Sequence, residues 1–197
     1  MDLITTLGRA VGFSFAAGVN LYATVAILGL SARLGWVTLP SQFQVFNNDI
    51  VIGVALVLYL IEFFADKIPY VDSLWDIVHT AIRPVGGALI AATAVGHASP
   101  AMLGLAALLG GSVAAGSHLT KTGTRMAANL SPEPFSNWIL SFSEDGFVMA
   151  LGYLALHYPL AALIVVIVLL VAIGFFAAAI VRSIRRWFRR PRTAIHS

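Results

Sequence analysis

The stretch LAALIVVIVLLVAIGFFAAAIV, Leu160 to Val181, runs for 22 residues without a charged or hydroxyl side chain. As a helix it is long enough to cross a hydrocarbon core of about 30 Å. It ends on six arginines, Arg182, Arg185, Arg186, Arg189, Arg190 and Arg192, with Trp187 and Phe188 among them. A basic run of this kind also suits nucleic acid. Its place directly behind a membrane-length segment favours a stop-transfer tail held on the cytoplasmic side, with the aromatic pair in the headgroup zone. The lipid bilayer is therefore the expected partner, and nucleic acid is not.

Composition extends that reading to the whole chain. Of 197 residues, 59% are hydrophobic and only 11% charged, where a soluble domain carries about 25%. The net charge of +3 comes from the tail, since without its six arginines the remainder is −3. There is no cysteine, which excludes disulfides and thiolate metal sites.

Working outward, Ala10 to Ala32 is 23 uncharged residues with no cleavage site, and it predicts a first helix that starts as early as Leu3. Gly35, Pro40 and Asn47-Asn48-Asp49 mark a loop. A second helix is expected from Ile50 to Asp66, broken by Pro69, and a third from Val71 past Pro84 to Val95. Pro100 divides the long uncharged run that follows, giving a fourth helix from Ala101 to Asn129 that Ser131-Pro-Glu-Pro134 stops. Phe135–Leu156 and Leu160–Arg190 complete an all-α polytopic bundle of six helices, with five and seven as the neighbouring counts. Lys and Arg positions then place both termini in the cytoplasm, because Arg9, Lys67, Arg83, Lys121, Arg125 and the tail share one side and only Arg33 takes the other.

An internal repeat is visible. Ala16-Ala-Gly-Val-Asn-Leu21 matches Ala114-Ala-Gly-Ser-His-Leu119, and Leu7–Leu21 against Leu105–Leu119 gives seven identities in fifteen at an offset of 98. Two three-helix halves, 1–99 and 100–188, followed by a basic tail 189–197, would then form one membrane domain. An odd helix number inverts the second half, a plan typical of transporters, with the site near the repeat interface. Gly18-x-Asn20 and Gly116-x-His118 would be equivalent. Each glycine serves either close helix packing or a broken helix.

Polar residues recur at helical spacing inside these apolar stretches. Tyr59, Glu62 and Asp66 form one stripe, and Asp72, Asp76, His79 and Arg83 a second. His118, Lys121 (or Thr122), Arg125 and Asn129 form a third, and Asn137, Ser141, Glu144 and Asp145 a fourth. Such groups at membrane depth usually face a bundle interior. The second stripe also suits an amphipathic helix on the inner surface. From Asp49 to Asp145, eight acids including Glu133 outnumber four bases. Arg125 is expected to pair with Glu144 or Glu62, and Arg83 with Asp76. Surplus carboxylates could take protons or a divalent cation such as Mg²⁺, Ca²⁺ or Mn²⁺, and no other cofactor is expected. His79 and His118 could relay protons.

Several runs resemble a known family. Glu62-Phe-Phe-Ala-Asp-Lys-Ile-Pro69, Val71-Asp72, Trp75-Asp76, Val78-His79-Thr80 and Ile82-Arg83-Pro84 are similar to a family of uncharacterised bacterial integral membrane proteins, domain of unknown function 4126. So are Gly18-Val-Asn20-Leu-Tyr22, Lys121-x-Gly-Thr-Arg125, Asn129, Ser131-Pro-Glu-Pro-Phe-Ser-Asn137 and Glu144-Asp145. The resemblance covers Gly18 to Pro159 and implies a small multi-pass protein of the inner membrane. It implies no activity.

The expected function is a small transporter or channel-like protein moving an ion or small solute, coupled to protons or cations. Glu62, Asp66, Glu144 and Asp145 would bind or relay the ion, and Lys121 and Arg125 would pair with them or meet an anionic solute. A chain this short often needs a second copy to enclose a path, so a homodimer is among the expected partners. A non-transporting scaffold is the alternative, with the stripes as ion pairs. A lipid-modifying enzyme is the third, requiring Asp66, Asp72 and Asp76 to converge.

Overall fold

Asn20 decides how the first third of the chain folds. Its φ of −148° and ψ of 101° place one extended residue between helix α1, Leu3–Val19, and helix α2, Leu21–Arg33. The residue ends one helix and starts the next: its backbone N–H donates to Ala16, and its side-chain oxygen accepts from Ala23 N–H at 2.9 Å. An amide that caps in this way competes with the helix it interrupts.

The remaining elements are a 3-10 turn, Ser41–Phe46, and helices α3, Asp49–Ala65, α4, Val71–Val95, α5, Pro100–Ala128, α6, Pro134–His157, and α7, Pro159–Phe188. The computed structural model describes residues 2–39, 41–68, 70–130 and 134–188, among which there is no strand. The expected stops at Pro40, Pro69 and 131–133, the candidate Glu133, and the 189–197 tail lie outside the described residues. Local chemistry explains the helix starts: Asn48 caps Ile50 and Val51, and Ser99 caps Met102 with Pro100 at the first helical position. Helices α4, α5, α6 and α7 are long and apolar enough to cross a membrane.

Contacts along α6 fix the path of α1 and α2. A Cβ on Gly8 would strike Pro159, one on Gly12 would meet Ala155 and Ala162, and Phe15 stacks edge-on with Phe147 at 5.9 Å. Asn20 then reaches Asp145, half-way along α6. Beyond it the order reverses, with Ile27 against Gly152 and Leu30 and Ser31 beside Leu156 and His157. The two helices form a hairpin that enters and leaves at one end of the bundle, here termed the upper end. Each arm is about 20–25 Å long, so the tip lies at mid-depth.

The other helices traverse the bundle. Helix α3 starts at the upper end, where Ile52 meets Gly29, and ends low at Glu62 and Asp66. Helix α4 runs back up from Asp72 to Gly96, which rests on Gln42. Helix α5 descends from Met102 and Leu105, beside Leu3 and Leu7, to Asn129, beside Asp72. Helix α6 ascends and α7 descends, with Leu170 of α7 packed near Gly116 of α5.

Three expectations change. The segment Ala10–Ala32 is long enough to span but is a hairpin, because Asn20 breaks it. The start of α1 and the end of α7 therefore lie at opposite ends of the bundle, not together. The repeated segments are parallel neighbours rather than inverted copies. Ser14 lies at Gly110, and Gly18 lies against Ala114 and Ser117, so both chains advance in the same direction. Their shared Ala-Ala-Gly sequence has a local cause: small residues on both sides let two backbones approach closely. Helix α1 is buried from Ala10 to Val19, which is why it is apolar all round.

Candidate functional site

The polar stripes of α3, α4, α5 and α6 meet in one buried column. It climbs from the lower end to mid-depth, about 16 Å along α4 between Asp72 and Arg83. At its foot, Asn137 donates to Asn129 at 2.7 Å, and Asn129 donates to both oxygens of Asp72 at 3.1 and 3.2 Å.

One turn higher, Arg125 binds Asp66 at 3.1 Å and also holds Glu144 through two nitrogens. Lys121 donates to Asp66 at 2.8 Å and lies 3.4 Å from both Glu62 and Glu144. Asp66 stands just beyond the end of α3, held between Lys121 and Arg125. Higher again, Arg83 bridges Glu62 at 2.8 Å and Asp76 at 3.1 Å, all three side chains at 0–1% exposure. Thr122 donates to the second oxygen of Asp76 at 3.2 Å.

The two histidines are each held in one tautomer. His79 Nδ1 is 2.7 Å from the Trp75 carbonyl, so it carries the hydrogen, and Nε2 accepts from the Tyr22 hydroxyl at 2.9 Å. His118 Nδ1 accepts from Arg83 at 2.7 Å, which leaves the hydrogen on Nε2, 3.2 Å from Thr80. Protonating Nδ1 would set it against the guanidinium. In this geometry both rings position their neighbours.

At the top of the column the hairpin tip closes it. Arg83 also points at the Gly18 carbonyl, 3.5 Å away, and Asn20 donates to Asp145 Oδ1 at 3.3 Å. The α1 carbonyl end thus faces a cation, and the cap residue of α2 faces a carboxylate, as the helix dipoles favour. Lys67 stands to one side, 3.0 Å above the Phe63 ring, donating to the Phe63 carbonyl and to Ser141.

Six buried or nearly buried carboxylates, Glu62, Asp66, Asp72, Asp76, Glu144 and Asp145, share this space with Arg83, Lys121, Arg125 and Lys67. Three carboxylate oxygens have no hydrogen-bond partner: Glu62 Oε2, Asp66 Oδ1 and Asp145 Oδ2. Among the described residues, no three His, Asp or Glu side chains are grouped as metal ligands. Asp66 and Asp72 share Arg125, at 3.1 and 4.0 Å, whereas Asp76 is held by Arg83, so the three are not gathered on one cation. Two apolar cavities, about 410 and 150 Å³, lie elsewhere, one between α2 and α6 and the other between α1 and α5.

Every candidate from the sequence except Glu133 is in or at the rim of this column. The expected pairs Arg83–Asp76 and Arg125–Glu144 form, while Glu62 pairs with Arg83 and Lys121 rather than Arg125. Asp49 is not part of it and pairs with Arg33 at the surface, 2.7 Å away. Sequence reading did not place Asn20, Tyr22, Thr80 or Lys67 among the site residues. For Asn20 there was a signal: a capping amide alone in an apolar run.

The family model described as Domain of unknown function (DUF4126) matches residues 7–179, most of the chain, and the chain belongs to that family. Comparison with curated proteins and with solved structures gives no match.

Proposed function

We propose that this member of the DUF4126 family carries an ion or small solute across an inner membrane, with the buried column as the lower half of the path and the hairpin as its upper gate. One observation carries the reading: the hairpin breaks at mid-depth on the head of a charged column that rises from the opposite end. Broken backbone at membrane depth occurs where protein or a water-filled cavity surrounds it, and discontinuous helices with their ends turned to charged groups are a feature of transporter sites.

The charge balance supports ion handling. Six carboxylates against four cations leave two negative charges in excess, and burying these without a proton or cation is costly. The arginines at the end of α7 favour a cytoplasmic lower end, which puts the start of α1 outside.

Purified protein in proteoliposomes is expected to dissipate an imposed ion or pH gradient. Glu62→Gln and Glu144→Gln should lower that flux at least tenfold per reconstituted molecule, with a loss of thermal stability measured alongside. Flux indistinguishable from wild type in both variants would contradict the assignment.

A second reading is favoured by a separate observation. Arg83, Lys121 and Arg125 are each paired with two or more carboxylates, and neither apolar cavity meets them. A non-transporting scaffold would look like this. It predicts no flux in wild type and loss of assembly, rather than of flux, in the same variants.

A further inference from the structure

We propose that the coupling ion is a proton carried by Asp145, and that the hairpin tip at Asn20 reads its charge. This rests on the transport reading above and names the ion and the residue.

Asp145 differs from its neighbours in the column. Glu62, Asp66, Asp72, Asp76 and Glu144 each have an arginine or lysine nitrogen within 4.0 Å. No such contact is made to Asp145 among the described residues. Its residue is 8% exposed and its Oδ2 has no partner. Oδ1 takes only the Asn20 amide. A buried carboxylate with no counter-ion is expensive to keep ionised, and a bound proton removes the charge.

The charges around it come from each side. Helix α3 and the residues just after it contribute Tyr59, Glu62, Asp66 and Lys67, and α5 contributes Lys121. The hairpin offers Asn20 from between its arms, and the contact from α1 at this level is the Phe15 ring on Phe147.

The chemistry is a simple protonation: Asp145 takes H⁺ on Oδ2 when the site opens to one side and returns it when it opens to the other. The hairpin responds because a hydrogen bond to a carboxylate is about twice as strong as one to a neutral carboxyl. Ionised Asp145 draws the Asn20 tip onto α6, and protonated Asp145 loosens it. Since Asn20 also caps α2 and ends α1, that change falls on the one non-helical residue between them.

Infrared difference spectroscopy during pH titration of the reconstituted protein tests this. A protonated-carboxyl band should titrate in wild type, vanish in the isosteric Asp145→Asn variant and persist in Glu62→Gln and Asp66→Asn. Its midpoint should rise by about one to two pH units in Asn20→Ala, which removes a donor to the charged form. Labelling of wild-type protein with dicyclohexylcarbodiimide, mapped by mass spectrometry, gives a second answer without substitution, and Asp145 is the expected adduct. A band that survives Asp145→Asn, an unmoved midpoint in Asn20→Ala, or an adduct on Glu62 or Asp66 instead would overturn the proposal. Neither measurement uses flux. A correct Asp145 signal without flux would sink the transport reading, and the coupling role with it, leaving Asp145 as a proton-binding group read by the hairpin tip; flux with the signal elsewhere would sink this inference alone.

Discussion

Arg83 holds Glu62 and Asp76 at essentially zero exposure, and it also donates to His118. Removing one partner of such a group leaves the others charged and unsolvated, which typically costs about 3–5 kcal/mol. Arg83→Met should therefore lower the thermal unfolding temperature in detergent sharply. Arg83→Met combined with Glu62→Gln should recover part of that loss, because the second change removes one stranded charge. A single variant as stable as wild type would show that the column is not held by these pairs. Much of the residue-scale picture was legible beforehand. Glu62, Arg83, Lys121, Arg125 and Glu144 fall at helical spacing in apolar surroundings, the pattern of an interior face, although the stripe of Arg83 also suited a surface helix. Partner choice was less legible, since Glu62 faces both α4 and α5 and spacing along one helix does not say which neighbour is nearer.

At the scale of elements, α1 is pinned by close approach. A Cβ on Gly18 would overlap Ser117 Oγ and the Ala114 backbone of α5, whereas one on Gly104 meets nothing within 4 Å. Gly18→Ala should destabilise the protein by about 1–3 kcal/mol through overpacking. Gly104→Ala should be neutral or stabilising by up to about 1 kcal/mol from helix propensity. Comparing the two unfolding temperatures checks this, and equal effects would contradict the packing described for α1 on α5. The hairpin itself was not legible from hydropathy. A run of 23 uncharged, mostly apolar residues satisfies the length of a span, and hydropathy carries no information on whether the chain crosses or turns back. The turn depends on one amide, Asn20, satisfied by Ala23 on one side and Asp145 on the other. Asp145 is 125 residues away, so no local window contains the cause. The repeat misled for a related reason: two faces under the same demand for small residues acquire similar sequences, whatever their direction.

For the whole molecule, the membrane character and the all-α class follow directly from composition, and α4 to α7 bear them out. Orientation does not follow so easily. Counting positive charges assumes they lie in loops, yet Arg83, Lys121 and Arg125 are buried among the helices and carry no weight in that count. What remains is the hairpin, which adds two helices but returns to the end it left, so the start of α1 and the end of α7 lie at opposite ends of the bundle. The path proposed for the ion depends on this arrangement, because the column reaches the lower end of the bundle and the hairpin tip covers its head. The chain has no cysteine, so single cysteines report without background. Leu3→Cys and Arg186→Cys, both at exposed positions, can be treated in sealed, uniformly oriented vesicles with a membrane-impermeant maleimide before and after permeabilisation. One of the two should react in sealed vesicles and the other only after permeabilisation; both reacting from the same side would rule out a hairpin that turns back at Asn20.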